Sequence, residues 1–265
     1  MASEFELFGT ITRWLEEGRS FAMATVVKVS GSAPRHGGAR MLTRGDGVTC
    51  GTVGGGALEQ AVVAESAAAL LEGEPRLLSY QLKTDLGMAC GGSTQVYVEP
   101  MLPPQRLYLF GGGHIGLALA PIAAQVGFVV TVIDERAEFA RPDRFPQAVG
   151  RLVQSYDPAH WESLAFDQRT FCVVATHGHG TDLTVVRALM AMQPGPRYVG
   201  MIGSKTKRRA VEQALEQDGV APERIAELHT PMGLPVGAET PSEIAVSIAA
   251  ELVQVLRHTS PRRPE

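Results

Sequence analysis

The chain has 265 residues, with 24 Lys and Arg against 28 Asp and Glu, for a formal net charge of −4. That balance gives no electrostatic basis for gripping nucleic acid or a membrane surface. Three widely spaced cysteines form neither a disulfide framework nor a CxxC metal site, and they fit a reducing cytoplasm. The start, Met1-Ala-Ser-Glu-Phe-Glu, lacks a basic region followed by an apolar core, and no run of about 18 apolar residues exists. A soluble protein of one large or two medium domains is expected.

In chain order, Phe5, Phe8, Ile11 and Leu15 recur at helical spacing beside Trp14, and Gly18 stops the helix. Phe21 to Val29 reads as a buried strand. Two glycine-rich segments follow, 30–42 and 49–56, with a hairpin turn at Asp46-Gly47 between them. Ala57 to Leu71 is an alanine-rich helix ended by Gly73 and Pro75. Leu77 to Leu82 and Thr94 to Val98 read as strands around a loop at 85–92, and Pro100, Pro103 and Pro104 mark a stiff linker. An N-terminal α+β domain over 1–102 and a C-terminal domain over 103–265 are expected.

The second domain opens with the strand Leu107 to Phe110, then Gly111-Gly-Gly-His-Ile-Gly116, a helix pattern, and a strand Phe128 to Ile133 ending on Asp134. Gly111, Gly113 and Gly116 are the Gly-x-Gly-x-x-Gly triplet in the strand–turn–helix–strand–acid setting of a dinucleotide fingerprint. The helix start, with His114 in it, would face a phosphate, and Asp134 would accept from a ribose hydroxyl. An irregular connection, 139–149, is followed further on by the strands 171–175 and 198–202. Thr240-Pro-Ser-Glu243 starts a helix running to about Leu256, and 260–265 reads as a frayed end. Strands alternating with helices predict a Rossmann-like, doubly wound parallel sheet.

Four groups of residues could carry chemistry. Cys90 stands before Gly91-Gly92, where it is either an accessible thiolate for a soft metal or a buried structural cysteine. Cys50 and Cys172 lie in strand-like runs and read as structural. The loops at 30–38 and 51–56, with Arg35, Gly54, Gly55 and Gly56, are either a phosphate cradle or a set of tight turns. Thr176-His177-x-His179 with Asp182 sits at a strand's C-terminal end. As a metal site it lacks a third ligand at a predictable spacing, so polar contacts to a ligand or helix capping by Asp182 are expected. Gly203-Ser204 before Lys205-x-Lys207-Arg208-Arg209 is either a phosphate site at a helix start or a solvated basic face.

Taken together these motifs resemble the XdhC/CoxI family. Gly31-Ser-Ala-Pro-Arg35, Gly51-Thr-Val-Gly-Gly-Gly56 with Leu58-Glu59, and Gly87-Met-Ala-Cys-Gly-Gly92 are similar to its N-terminal domain. The fingerprint, Thr176-His177-x-His179, Gly200-Met-Ile-Gly-Ser204 and Pro231-x-Gly233-Leu234 through Thr240-Pro241 are similar to its Rossmann domain. The resemblance implies an accessory chaperone that binds the molybdenum cofactor (molybdopterin, in some versions a dinucleotide) and protects it. It further implies help to a cysteine desulfurase in sulfurating the cofactor, and delivery to an apo-molybdenum hydroxylase of the xanthine dehydrogenase or carbon monoxide dehydrogenase type. The family's Cys-Gly-Gly cysteine maps onto Cys90, as the candidate molybdenum contact. Ala89 fills the position where members serving xanthine dehydrogenase often carry a second cysteine, which leaves the client open.

A ligand held between the domains, with Cys90 facing the Rossmann crevice, is the arrangement these motifs suggest. A homodimer is expected from the frequency of symmetric dimers. Two other readings stand beside the chaperone: an NAD(P)-dependent oxidoreductase, for which Arg136 suits a 2′-phosphate, and a nucleotide-binding redox sensor. The oxidoreductase does not explain the Cys90 loop or the glycine-rich first domain and is supported by fold analogy alone, while the sensor predicts NAD binding with no affinity for molybdopterin.

Overall fold

The structure, a computed structural model, describes residues 4–89 and 91–258. Cys90 and the expected frayed end at 260–265 lie outside the described residues. The chain divides into two compact units, Met1–Pro103 and Pro104–Glu265.

The first unit runs α1 (Glu4–Glu16), β1 (Phe21–Ser30), β2 (Arg40–Arg44), β3 (Thr49–Gly51), α2 (Gly56–Glu72), β4 (Arg76–Gln81) and β5 (Ser93–Met101). Its strands form an antiparallel sheet in the order β3-β2-β1-β5-β4. Strand alternation divides the side chains between two faces. Ala22, Ala24, Val26, Val96 and Val98 meet Leu58, Val62 and Ala69 of α2. On the opposite face, α1 packs Leu7 and Trp14 against Phe21 and Leu42, with Trp14 edge-on to Phe21 at 5.3 Å.

Two sequence expectations fail here. The buried stripe of α1 is Leu7, Ile11 and Trp14, while Phe5 is 88% exposed and Phe8 52%. Both stripes have 3–4 spacing, and the sheet takes the one that carries the indole, whose burial is worth more. Pro100 is not linker but strand, paired with Ala22. It is tolerated because β4 stops pairing at Val98, so the missing N–H falls on an open edge.

The second unit runs β6 (Arg106–Phe110), α3 (His114–Gln125), β7 (Val129–Asp134), β8 (Gly150–Val153), β9 (Thr170–Val174), α4 (His179–Ala191), β10 (Tyr198–Met201), α5 (Lys205–Gln217), α6 (Pro222–Ala226), β11 (Leu228–His229) and α7 (Pro241–His258). All pairings are parallel, in the order β11-β10-β9-β6-β7-β8. Chain direction across the sheet reverses between β6 and β9. That switch point opens a crevice beyond the carboxyl ends of those two strands. Both faces are covered: Leu107 and Leu109 enter one core with α3 and α7, and Tyr108 and Phe110 enter the other with α4 and α5. Among the described residues no helix is long and apolar enough to cross a membrane.

The packing of α1 has a direct test by denaturant unfolding of the full chain followed by far-UV circular dichroism. Trp14→Ala is expected to cost about 3–5 kcal/mol in the first unit, whereas Phe5→Ser stays within about 0.5 kcal/mol. Equal effects would refute the assigned stripe.

Candidate functional site

In the second unit the fingerprint glycines do different jobs. Gly111 has φ +120°, and a Cβ there would stand 2.1 Å from the Ala175 carbonyl at the end of β9. A Cβ on Gly116 would stand 2.2 Å from the Gly111 carbonyl, which is the close packing of helix on strand that the motif requires. Gly112, outside the triplet, is crowded as well, its Cβ position lying 2.0 Å from the Phe139 carbonyl. Gly113 differs from all three. It begins α3 at φ −67°, and a Cβ would meet nothing within 4 Å. No side chain caps the start of α3, where His114 is exposed, so the first-turn N–H groups have no side-chain acceptor.

Asp134 is fully buried. Its Oδ2 accepts from the Gly112 N–H at 2.8 Å and Arg136 Nη2 at 2.9 Å. Its Oδ1 accepts from the Arg136 N–H at 3.0 Å and Nε at 2.9 Å. Four donors fill the four lone-pair positions of a carboxylate, and none is left for a ribose hydroxyl. Burial alone would raise the carboxyl's pKa, but the Arg136 and Gly112 hydrogen bonds outweigh it and hold the group below its ordinary value. Arg136 also lies 3.7 Å over the Phe139 ring, and Arg144 donates to the Gly112 carbonyl at 3.0 Å. The segment 136–144 therefore closes over the turn beside Asp134.

Beyond β9 and β10, Thr176, His177, Gly178, His179, Asp182, Ile202, Gly203 and Lys207 line a cavity of about 240 Å³. Asp182 is the organiser. Its Oδ1 accepts from the Thr176 N–H at 2.9 Å and hydroxyl at 2.6 Å, and its Oδ2 meets Lys207 Nζ at 2.6 Å. Lys207 also donates to the Ile202 carbonyl at 3.1 Å, leaving one N–H of its three. The pair is nearly dry, with side chains 13% and 3% exposed. His177 Nε2 stands 3.5 Å from Glu135 beyond β7, and His179 is exposed in the first turn of α4. Ser204 caps α5 by accepting from the Lys207 N–H. Among the described residues no group of three or more His, Cys, Asp or Glu is placed to hold a metal.

In the first unit the three glycine-rich stretches meet. Gly92 donates to the Ser32 carbonyl at 3.0 Å, and a Cβ on it would stand 2.4 Å from that oxygen. On the other side, the Pro34 ring packs onto Gly54. The proposed cradle at 54–56 is filled from within: Glu59 accepts from the Gly55 N–H at 2.9 Å and from the Thr52 hydroxyl. A carboxylate already sits where an anion would go. Gly56 begins α2 and Gly91 is exposed. Arg35 is half-buried and has no ion-pair partner among the described residues. Cys172 is buried in β9 and burial pushes its thiol pKa up; Cys50 is half-buried in β3.

One cluster escaped sequence reasoning. Glu251 of α7 accepts from the Tyr198 hydroxyl at 2.6 Å and the Gly233 N–H at 2.7 Å, and pairs with His229 Nδ1 at 3.0 Å. No spacing links residues 198, 229 and 251, because topology alone brings them together. The Asp182–Lys207 pair is equally invisible, although both sit in the first turn of a helix that follows a strand.

Comparison with known proteins settles the family. The model for the XdhC Rossmann domain matches residues 107–252, and that for the XdhC and CoxI family matches residues 14–81. The chain belongs to the XdhC/CoxI family. It is 37% identical over 254 residues to the uncharacterized protein YqeB of Escherichia coli K12, covering 94% of this chain and 46% of YqeB. To a probable xanthine dehydrogenase subunit of Bacillus subtilis 168 it is 31% identical over 168 residues, 63% of this chain and 48% of the relative. It thus spans about half the length of these two curated relatives. With the molybdenum cofactor insertion chaperone PaoD of E. coli K12 it shares 25% identity over 92% of this chain and 86% of PaoD. The crystal structure of a xanthine dehydrogenase from Bacillus halodurans shares the fold, at TM-score 0.52 and 24% identity, with 97% and 96% of the two chains covered.

The contrast among the glycines of this XdhC-family chain is measurable by thermal and denaturant unfolding. Gly112→Ala is expected to cost about 2–3 kcal/mol through overpacking, while Gly113→Ala stays within about 0.5 kcal/mol. Asp134→Asn is expected to cost about 2–3 kcal/mol at pH 7, less than a fully buried pair because Arg136 is 31% exposed. The folded-state pKa lies below the ordinary 3.8, so this stabilisation is complete above 3.8 and lost as pH falls through the folded value. The gap between wild type and Asp134→Asn should therefore narrow only below pH 3.8; a constant gap would refute the assignment.

Proposed function

We propose that this chain is an accessory chaperone of the reducing cytoplasm that binds the molybdenum cofactor, supports its sulfuration and delivers it to a molybdenum hydroxylase of the xanthine dehydrogenase or carbon monoxide dehydrogenase type. The observation that carries the binding half is Gly113. It is the one fingerprint glycine that neither strain nor packing requires, so the space beside the uncapped start of α3 is kept for a group from outside. A phosphate fits that place by charge and by backbone donors. The delivery half is supported by PaoD, an insertion chaperone by name, which aligns with 92% of this chain.

In this reading the start of α3 holds a phosphate of the cargo, and Gly91 and Gly92 let a bound group approach Cys90, whose soft thiolate suits molybdenum. A cysteine desulfurase supplies the terminal sulfur, and the chaperone acts as a homodimer. The NAD(P) reading is supported by the fingerprint but opposed by Asp134, whose lone pairs are already spent on Gly112 and Arg136.

Anaerobic gel filtration with released molybdenum cofactor, reading molybdenum and pterin fluorescence in the protein peak, tests the proposal. Co-elution with wild type that is lost in Cys90→Ala is the expected result. No co-elution with wild type, together with tight NAD(H) binding, would replace the chaperone by the oxidoreductase or sensor.

A further inference from the structure

The first unit carries a second polar surface that the sequence motifs do not mark. On the face of the sheet that α1 covers at one end, the pairing register sets out rows of outward side chains. Nearest α1 are Phe21 opposite Met101 and Met23 opposite Glu99. Next comes Thr25–Tyr97–Leu77, then Lys28–Gln95–Ser79, then Ser30–Ser93–Gln81. The last two rows line a groove of about 330 Å³. Its outward grid of six side chains carries three hydroxyls, two amides and one ammonium, and no carboxylate.

Lys28 is there because of a β-bulge. The register of β1 against β5 shifts between Val26 and Lys28, with Val27 as the extra residue. Without it, strict alternation from Ala24 and Val26 would turn Lys28 into the core beneath α2 and turn Val29 outward. With it, Lys28 stands opposite Gln95, and Val29 returns to the core cluster. Bulges re-aim side chains in this way beside binding sites. Among the described residues no acid pairs with Lys28. The carboxylate of Asp85 is occupied locally, accepting from the Gln81 N–H at 2.7 Å and the Thr84 hydroxyl at 2.9 Å.

The adjoining row adds the complementary half, since Tyr97 is 37% and Leu77 62% exposed. A cation and a bank of hydrogen-bonding groups beside an aromatic and aliphatic shelf suit a flat heterocycle with hydrogen-bonding edges. We infer that this groove is a binding site for the pterin ring of the cargo, with Lys28 donating to its ring carbonyl. The inference rests on the chaperone reading.

Retention of released molybdenum cofactor by the full chain, read as pterin fluorescence after anaerobic gel filtration, decides it. Lys28→Glu is expected to lower retention at least about tenfold, the scale of one lost charge-assisted hydrogen bond, with an unchanged circular dichroism spectrum. Lys83→Glu makes the same charge change in the neighbouring exposed turn and should leave retention intact, while Lys28→Arg retains most of it. Equal retention by wild type and a folded Lys28→Glu would overturn the groove and leave the chaperone standing. So would an equal loss in Lys83→Glu. A wild type that retains no cofactor would overturn both.

Discussion

The second unit is governed by how closely the carboxyl ends of β6 and β9 approach. At Gly111 the backbone turns so near the Ala175 carbonyl that no Cβ fits, and α3 follows with Gly116 pressed on Gly111 in turn. Chain direction reverses across the sheet at this same place. The crevice is therefore formed where backbone packs closely on backbone. A turn packed this closely holds its N–H groups in a defined geometry, the kind of preorganisation that favours binding.

Tight backbone turns at strand ends bury polar groups that must find partners. Each half of the sheet answers with the same device. In the first half Asp134 takes the Gly112 N–H and the guanidinium of Arg136. In the second, Asp182 takes the Thr176 N–H and the ammonium of Lys207. Both acids fix a turn at a strand's carboxyl end and recruit a cation whose charge they neutralise. Removing either acid would strand a buried N–H and a partly buried cation together, so the walls of the crevice are coupled to the fold's stability. The two cations differ in what they have left. Arg136 is laid over Phe139, whereas Lys207 keeps one N–H at a cavity lined by His177 and His179.

This pairing explains why the sequence was legible for the elements and less so for the chemistry. Phe171 to Ala175 and Leu107 to Phe110 announce themselves as strands because parallel strands are apolar on both faces. The edge strands β8 and β11 are four and two residues long, half-buried, and too brief to show a period. The glycine triplet located the crevice, and the alternation of strands and helices predicted the doubly wound sheet. The role of Asp134 was not legible: an acid at the end of a second strand looks the same whether it faces solvent or Arg136, and only the loop 136–144 decides. In the first unit, Lys28 sat in an unbroken strand pattern, and the bulge that turns it outward has no sequence mark such as a glycine.

The glycines sort by the same physical criterion, and the sorting bears on the family's function more than their number does. Gly92 and Gly54 are consumed by the fold, one against the Ser32 carbonyl and the other under the Pro34 ring. They knit the loop 31–34 to the stretches on either side of it, and they would be required in a protein that bound nothing. Glu59 likewise spends the donors at the start of α2, which removes that helix as an anion site. Among the described residues, the groups left unspent include the first turn of α3 beside Gly113, one N–H of Lys207 and the ammonium of Lys28. A glycine-rich sequence thus marks where the backbone is crowded, and Gly113, where a Cβ would meet nothing within 4 Å, is the fingerprint position that this crowding leaves open.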